Sequence, residues 1–190
     1  MLPLEEQKIA LILIDIQKGL DEWDFYGGNR NNLSAEVNAG MILAAFRKNQ
    51  LPVFHIQHSS INEKSPLFAT KPGFLIKNEV KPLENEPVFV KSVNSAFIGT
   101  PLENELKKRG IQTIVIVGLT TNHCISTSVR MGANLGFNII LVEDACAAFD
   151  MVGVNNQKFD AELMHQTALA SLKDEFASVV TSKKFLDNSL

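Results

Sequence analysis

The sequence predicts an α/β fold built on a parallel sheet with helices on both faces. Three observations carry that expectation. Short apolar runs rich in Val, Ile and Leu recur along the chain, as strands buried on both faces require. Segments of helical periodicity separate most of them, in a βαβ…βαβαβ alternation. Two long stretches rich in Gly, Pro and Asn break the alternation, and loops of that length in a compact domain commonly carry function.

The first run, "KIALILIDI" (8–16), reads as a buried strand. The first long loop follows, "QKGLDEWDFYGGNRNNL" (17–33). Ser34 stands where it would cap a helix over "SAEVNAGMILAAFRKN", with Val37, Met41, Ala44 and Ala45 as its apolar stripe. "LPVFHIQH" (51–58) is the second strand, and residues 59–86 are the second long loop. Both loops hold bulky apolar residues (Trp23, Phe25, Tyr26, Phe68, Phe74), so they are expected to be ordered and to cover something. "PVFVKS" (87–92) is a third strand. The helix "TPLENELKKRG" (100–110) has Pro101 in its first turn and Gly110 at its end. The strand "IQTIVIVG" (111–118) leads into a helical segment, "CISTSVRMGANLG" (124–136). There Ile125, Val129, Gly132 and Gly136 fall on roughly one side, small enough to let the helix approach the sheet closely. "NIILVEDA" (138–145), a helix over 158–176 and a weaker strand, "ASVVTS" (177–182), complete the set. His165 on that last helix reads as a partly buried structural residue.

The length fits one domain spanning 1–190. A formal net charge of −3 gives no reason to expect nucleic acid or an anionic membrane as partner. The longest apolar run, residues 9–14, is too short to span a bilayer. The first residues lack the basic start and apolar stretch of a signal peptide, so a cytoplasmic protein is expected. Two cysteines make neither a disulfide framework nor a CxxC metal pair, and both are expected to be thiols. No GxGxxG follows the first strand, which removes a dinucleotide site from consideration.

Ligands of open parallel sheets bind beyond the carboxyl ends of the strands, where the strand order reverses. The polar residues at those ends are Asp15, Lys91 and, one turn beyond its strand, Cys124. Such residues can form a reaction centre. A carboxylate takes the thiol proton, an ammonium stabilises the thiolate, and the first turn of the following helix offers free N–H groups to an oxyanion. Taken singly, Asp15 serves equally as a turn or cap residue, Lys91 as a solvated strand end and Cys124 as a small core residue. Their conjunction at equivalent strand ends raises the first reading. Cys146, among alanines in "EDACAAF", reads as core.

The three residues stand in longer motifs. "ILIDIQ", "VKSVNSAF" and "GLTTNHCISTSVRMGANLGF" occur in that order. From about residue 8 to 180 the chain resembles the isochorismatase-like cysteine hydrolases, a group that includes nicotinamidases and N-carbamoylsarcosine amidase. The resemblance implies a three-layer α/β/α sandwich with a six-stranded, mainly parallel, Rossmann-like sheet. It also implies a hydrolase that cleaves an amide, ureido or related C–N bond of a small molecule and assembles as a dimer or tetramer. Asp15 would be the base, Lys91 would hold the carboxylate and lower the thiol pKa, and Cys124 would form a thioester. The group has a non-proline cis peptide before the nucleophile, which maps to Leu119–Thr120, with the N–H groups of Thr120 and Cys124 as the oxyanion hole.

Nicotinamidases of the group bind a metal through an Asp and histidines after the second strand. Here "FHIQHSS" has Gln57 where that Asp would stand, and His55 and His58, three apart, do not share a strand face. No metal and no other cofactor is therefore expected, and Gln57 and His58 become polar contacts of a pocket. Trp23 or Phe25 would wall that pocket or else anchor a small satellite core. Phe97 of "SAF" would shape its edge, and Asn122 would either face substrate or cap the helix. "GGNRNN" (27–32) offers Arg30 to a substrate carboxylate, or is a turn held by its own Asn side chains. The rival functions are an isochorismatase-type ether hydrolase, which typically lacks the cysteine, a small-molecule binder, and a thiol-redox protein using Cys146.

Overall fold

The computed structural model describes residues 8–189. Its strands are β1 (Ile9–Ile14), β2 (Val53–His58), β3 (Val88–Lys91), β4 (Thr113–Leu119), β5 (Asn138–Ala147), a small hairpin of β6 (Met151–Val152) and β7 (Lys158–Phe159), and β8 (Ser178–Val180). Its helices are α1 (Trp23–Tyr26), α2 (Ala35–Lys48), α3 (Leu102–Lys108), α4 (Ser126–Asn134), α5 (Ala161–Leu172) and α6 (Ser182–Ser189). The main sheet has six strands in the order β3-β2-β1-β4-β5-β8, all paired in parallel. The antiparallel β6–β7 hairpin has no counterpart among the elements expected from sequence. Among the described residues no helix is long and apolar enough to cross a membrane.

The strand alternation builds two cores. On β1, Ala10, Ile12 and Ile14 pack with Leu102 and Leu106 of α3, Val129 of α4 and Leu169 of α5. Ile9, Leu11 and Leu13 face the opposite way, against Ala39, Ile42, Leu43 and Phe46 of α2 and Phe185 of α6. Continuous apolar runs are therefore needed because each strand is covered on both faces. This is the three-layer α/β/α arrangement expected from the sequence.

Three details of the helices differ from expectation. The buried face of α2 is Ala39, Ile42, Leu43 and Phe46, whereas Val37 and Met41 are 57% and 46% exposed. The i, i+3, i+4, i+7 set that contains Phe46 buries more apolar area, so it takes the sheet side. Ser34 occupies the cap position of α2 but its side chain makes no capping bond. In the last helix, residues 158–160 belong to β7 and to a cap, Asp160, whose carboxylate accepts from the Leu163 N–H at 2.8 Å.

The two long loops are ordered and tied together. The Gln17 side chain donates to the carbonyls of His58 and Phe74 at 3.1 and 2.8 Å and accepts from the His58 N–H at 2.8 Å. Arg30 is not a free cation for a substrate. Its guanidinium donates to both oxygens of Glu36, and Lys77 reaches the same carboxylate at 2.6 Å. Burial opposes the Glu36 charge, but the hydrogen bonds from Arg30 and Lys77 outweigh it and hold the carboxyl down at about 2. Asn31 and Asn32 hold the turn, accepting from the Ala148 N–H and donating to the Cys146 carbonyl at 2.7 and 2.8 Å.

Chain order creates the crevice. From central β1 the chain runs outward through β2 to β3, then returns to the other side of β1 as β4. The loops after β1 and β4 therefore diverge at the switch point. Gly118 sits beside it with φ 131°, and a Cβ there would stand 2.0 Å from the Ile14 carbonyl oxygen. Only glycine lets β4 pass so close to the end of β1. Gly28 also has positive φ (103°), but a Cβ there would meet nothing within 4 Å. Urea denaturation should therefore show Gly118→Ala losing about 2–4 kcal/mol and Gly28→Ala about 1 kcal/mol. Equal losses would mean that the φ value alone, not the contact with Ile14, selects glycine at 118.

Candidate active site

Register brings the site together. Ile14 of β1 lies level with Ile56 of β2 and Gly118 of β4, and His58 of β2 lies level with Lys91 of β3. The residues just beyond these positions crowd the same end of the sheet. Asp15 follows β1 in the left-handed region at φ 55°, which Asp tolerates better than most residues. β3 is an edge strand with Val88 and Val90 exposed at 40% and 49%, and Lys91 is its one buried residue. Beyond β4 the Leu119–Thr120 peptide is cis. A single π-type turn, Thr121–Ile125, then carries Cys124 up to α4. Thr121 Oγ1 meets His165 Nδ1 at 2.8 Å, which ties this turn to α5.

Lys91 is the hub. Its Nζ donates to Asp15 Oδ2 at 2.6 Å and Cys124 Sγ at 3.3 Å, and lies 3.1 Å from His58 Nδ1. An ammonium has three N–H bonds, and these three acceptors take all of them. His58 is therefore neutral, with Nδ1 unprotonated. Burial lowers its pKa, and the neighbouring Lys91 charge lowers it further. Asp15 Oδ1 is buried and makes no hydrogen bond of good geometry among the described residues, and the Cys124 thiol is close enough for its hydrogen bond to bear on both groups. Cys124 Sγ is half-buried and also lies 3.8 Å from Asn94 Oδ1.

The charges decide where the proton sits. Burial raises the Asp15 pKa against the pull of Lys91. Burial also pushes the Cys124 thiol up, the Asp15 charge adds to that, and Lys91 opposes both without overcoming them. Lys91 thus acts on the thiol in the expected direction, against larger opposing effects of burial and Asp15. One ammonium compensates one negative charge, and a second would be buried without a partner. The carboxyl and thiol therefore keep one proton between them.

A cavity of about 440 Å³ opens over this cluster. Asp15, His58, Thr120, Asn122 and Cys124 line it. Its apolar walls are Leu20, Leu67, Leu119, Phe149 and Met151, and its other polar groups are Tyr26, Ser65, Asn94 and His123. Three sequence-predicted pocket residues lie elsewhere. Trp23 packs into the satellite core of Leu20, Leu67 and Phe149, and its neighbour Phe25 is 47% exposed; the loop aromatic at the cavity is Tyr26, stacked on Phe149 at 5.2 Å. Gln57 is buried and holds the second loop by donating to the Phe74 carbonyl at 2.6 Å. Phe97 stacks on Phe137 at 6.2 Å in the core beneath α4. Asn122 does not cap α4; its Nδ2 points to Met151 Sδ at 3.0 Å.

His55 belongs to a separate cluster, bonded to Glu86 at 2.9 Å. Asp15, His58 and Cys124 have ligand atoms within 4.8 Å of one another, a spacing suited to a cation. The Lys91 ammonium stands against all three. Asn94 had a signal in the sequence, three residues after Lys91 in the same motif. Ser65, Leu67, Phe149 and Met151 had none, because folding of the loops and the hairpin brings them in.

The family model described as the isochorismatase domain matches residues 9–184. An uncharacterized isochorismatase family protein of Bacillus subtilis, YrdC, is 45% identical over 183 residues, covering 96% of this chain and 97% of that protein. A crystal structure of a putative hydrolase of the isochorismatase family from Chromobacterium violaceum superposes with a TM-score of 0.91 at 36% identity, covering 98% of this chain and 95% of that one. The ureidoacrylate amidohydrolase RutB of Acinetobacter baylyi is 28% identical over 114 residues, 60% of this chain and 42% of its own length.

Replacing Asp15 by Asn removes the charge that raises the thiol and leaves Lys91 beside it, so the Cys124 pKa must fall. Iodoacetamide should alkylate Cys124 in Asp15→Asn about tenfold faster than in the wild type at neutral pH, with the modified residue identified by mass spectrometry. Slower alkylation would contradict the charge arrangement. Fold, motif match and relatives agree: the chain belongs to the isochorismatase family.

Proposed function

We propose that this hydrolase cleaves a C–N bond of a small amide or ureide through a thioester on Cys124. The observation that carries the reading is the Lys91 ammonium held against both the Asp15 carboxylate and the Cys124 sulfur. Asp15 Oδ1 takes the thiol proton as sulfur attacks the carbonyl carbon. The single negative charge passes from Asp15 through the sulfur to the carbonyl oxygen, so no second negative charge is buried during the transfer. The N–H groups of Thr120 and Cys124 receive the developing oxyanion, and the Thr120 N–H makes no other hydrogen bond among the described residues. Asp15 returns the proton to the leaving nitrogen as the C–N bond breaks. Water then attacks the thioester carbon and gives a proton to Asp15, and the departing sulfur recovers that proton as the acid leaves.

The named activity of the A. baylyi relative, an amidohydrolase, supports the C–N class. A metal is not needed on this account, since Lys91 supplies the positive charge among Asp15, His58 and Cys124. Ether hydrolysis would leave Cys124 without a task. A thiol-redox role would need a second accessible thiol, and Cys146 is fully buried, with burial raising its pKa to about 12.

In a release assay on small amides and ureides, Cys124→Ala should lower ammonia or amine production by at least about 10³-fold. Near-native turnover by that variant would rule out the covalent path. The pH profile follows from the signs of the shifts. Asp15 must be ionised to act as base and its pKa is raised, so activity is lost as pH falls through a value above 3.8. The Cys124 pKa is raised, so no gain from thiol ionisation should appear at the ordinary 9.0. A second rise in rate near 9.0, separate from the one that follows Asp15, would show that the thiol ionises independently of Asp15.

A further inference from the structure

We propose that the substrate is uncharged: a small neutral amide or ureide with an apolar body and no carboxylate or ammonium of its own. The inference rests on the C–N hydrolase reading for its reacting group, but its argument comes from the rest of the cavity. Among the described residues no lysine or arginine lines the cavity. Lys91, just beneath it, has all three donors engaged. Arg30 and Lys77, the other buried cations of the two loops, are both bound to Glu36. The imidazoles of His58 and His123 are held neutral, chiefly by burial. The N–H groups of Thr120 and Cys124 are taken by the reacting carbonyl on the proposed mechanism and are not free for a second anion.

A substrate carboxylate would thus leave water for a wall of Leu20, Leu67, Phe149 and Met151 with no charge to meet it. An ammonium fares no better. Among the described residues Asp15 is the only carboxylate in the lining, and Lys91 already neutralises it. What the wall does offer is neutral polarity. Tyr26 Oη is buried and makes no hydrogen bond of good geometry among the described residues; burial raises the phenol to about 12 although the neighbouring Ser65 pulls it down, so it keeps its proton as a donor. A neutral acceptor on the substrate, such as an ether, carbonyl or ring nitrogen, would satisfy it. Ser65, Asn94 and Asn122 can bond similar groups.

The test separates charge selection from chemistry. Binding is measured on Cys124→Ala by ligand-observed NMR titration with two matched sets. One is valeramide, glutaramate and 5-aminovaleramide; the other is benzamide, 4-carbamoylbenzoate and 4-(aminomethyl)benzamide. Within a set the amide is constant and only the far end changes. The neutral member should bind about tenfold or more tightly than either ion. Charged members that bind as tightly as the neutral one, or neutral members that fail to bind in both sets, would overturn the proposal. Introducing Met151→Lys into the same variant puts an ammonium in the wall and should recover about tenfold for the carboxylates. No recovery would also overturn it. Turnover by the wild type is scored apart: neutral preference without ammonia release would defeat the hydrolase reading and leave the charge selection standing.

Discussion

The Lys91 ammonium is the interaction on which the site depends. It is buried at the end of an otherwise exposed edge strand, and its three donors meet a carboxylate, an imidazole nitrogen and a thiol. Burying an ion pair is costly, and losing one partner of such a pair is costlier still, because the remaining charge is stranded. The arrangement therefore constrains everything near it. His58 must be neutral, Asp15 must sit at the end of β1 despite its left-handed backbone, and the carboxyl and thiol must share one proton. On the proposed mechanism the resting thiol is a poor nucleophile for bulk reagents and is activated by proton transfer to Asp15.

Around that hub the fold supplies position and the loops supply selection. Parallel register sets His58 level with Lys91 and brings Asp15 to the same end of the sheet, and Gly118 allows β4 to approach β1 closely. The loops after β1 and β2 are clasped by Gln17 and by the buried Arg30–Glu36–Lys77 cluster. Their inner surfaces present Leu20, Tyr26, Ser65 and Leu67 to the cavity. The clasp uses the loop cations for structure, which is why the cavity has none left for a ligand.

The sheet was legible from sequence because burial on both faces leaves a direct linear mark, the unbroken runs of Val, Ile and Leu. Asp15, Lys91 and Cys124 were legible because strand ends can be read from those runs and their flanking motifs are distinctive. Pocket walls leave no such mark. Trp23 looked like a wall and is a core anchor, while Tyr26, three residues on, packs on the same satellite core and reaches the cavity. Gln57 and Phe97 lie close in sequence to reactive residues, but strand and loop direction send their side chains into structural roles. The stripe expected on α2 was out of phase because Ala, Val and Met on one face compete with Ile, Leu and Phe on the other, and the larger buried area prevails. Arg30 had two readings, and only the position of Glu36 in space decides between them.

The central claim is that Asp15 and Cys124 hold a single proton between them beside one ammonium. Ultraviolet titration of thiolate absorbance in the wild-type protein tests it most directly, since Cys146 is buried with its pKa raised to about 12 and stays silent over the useful range. The account predicts no thiolate signal as pH passes 9.0, the ordinary value for a cysteine. A full thiolate step with its midpoint at or below 9.0 would contradict it.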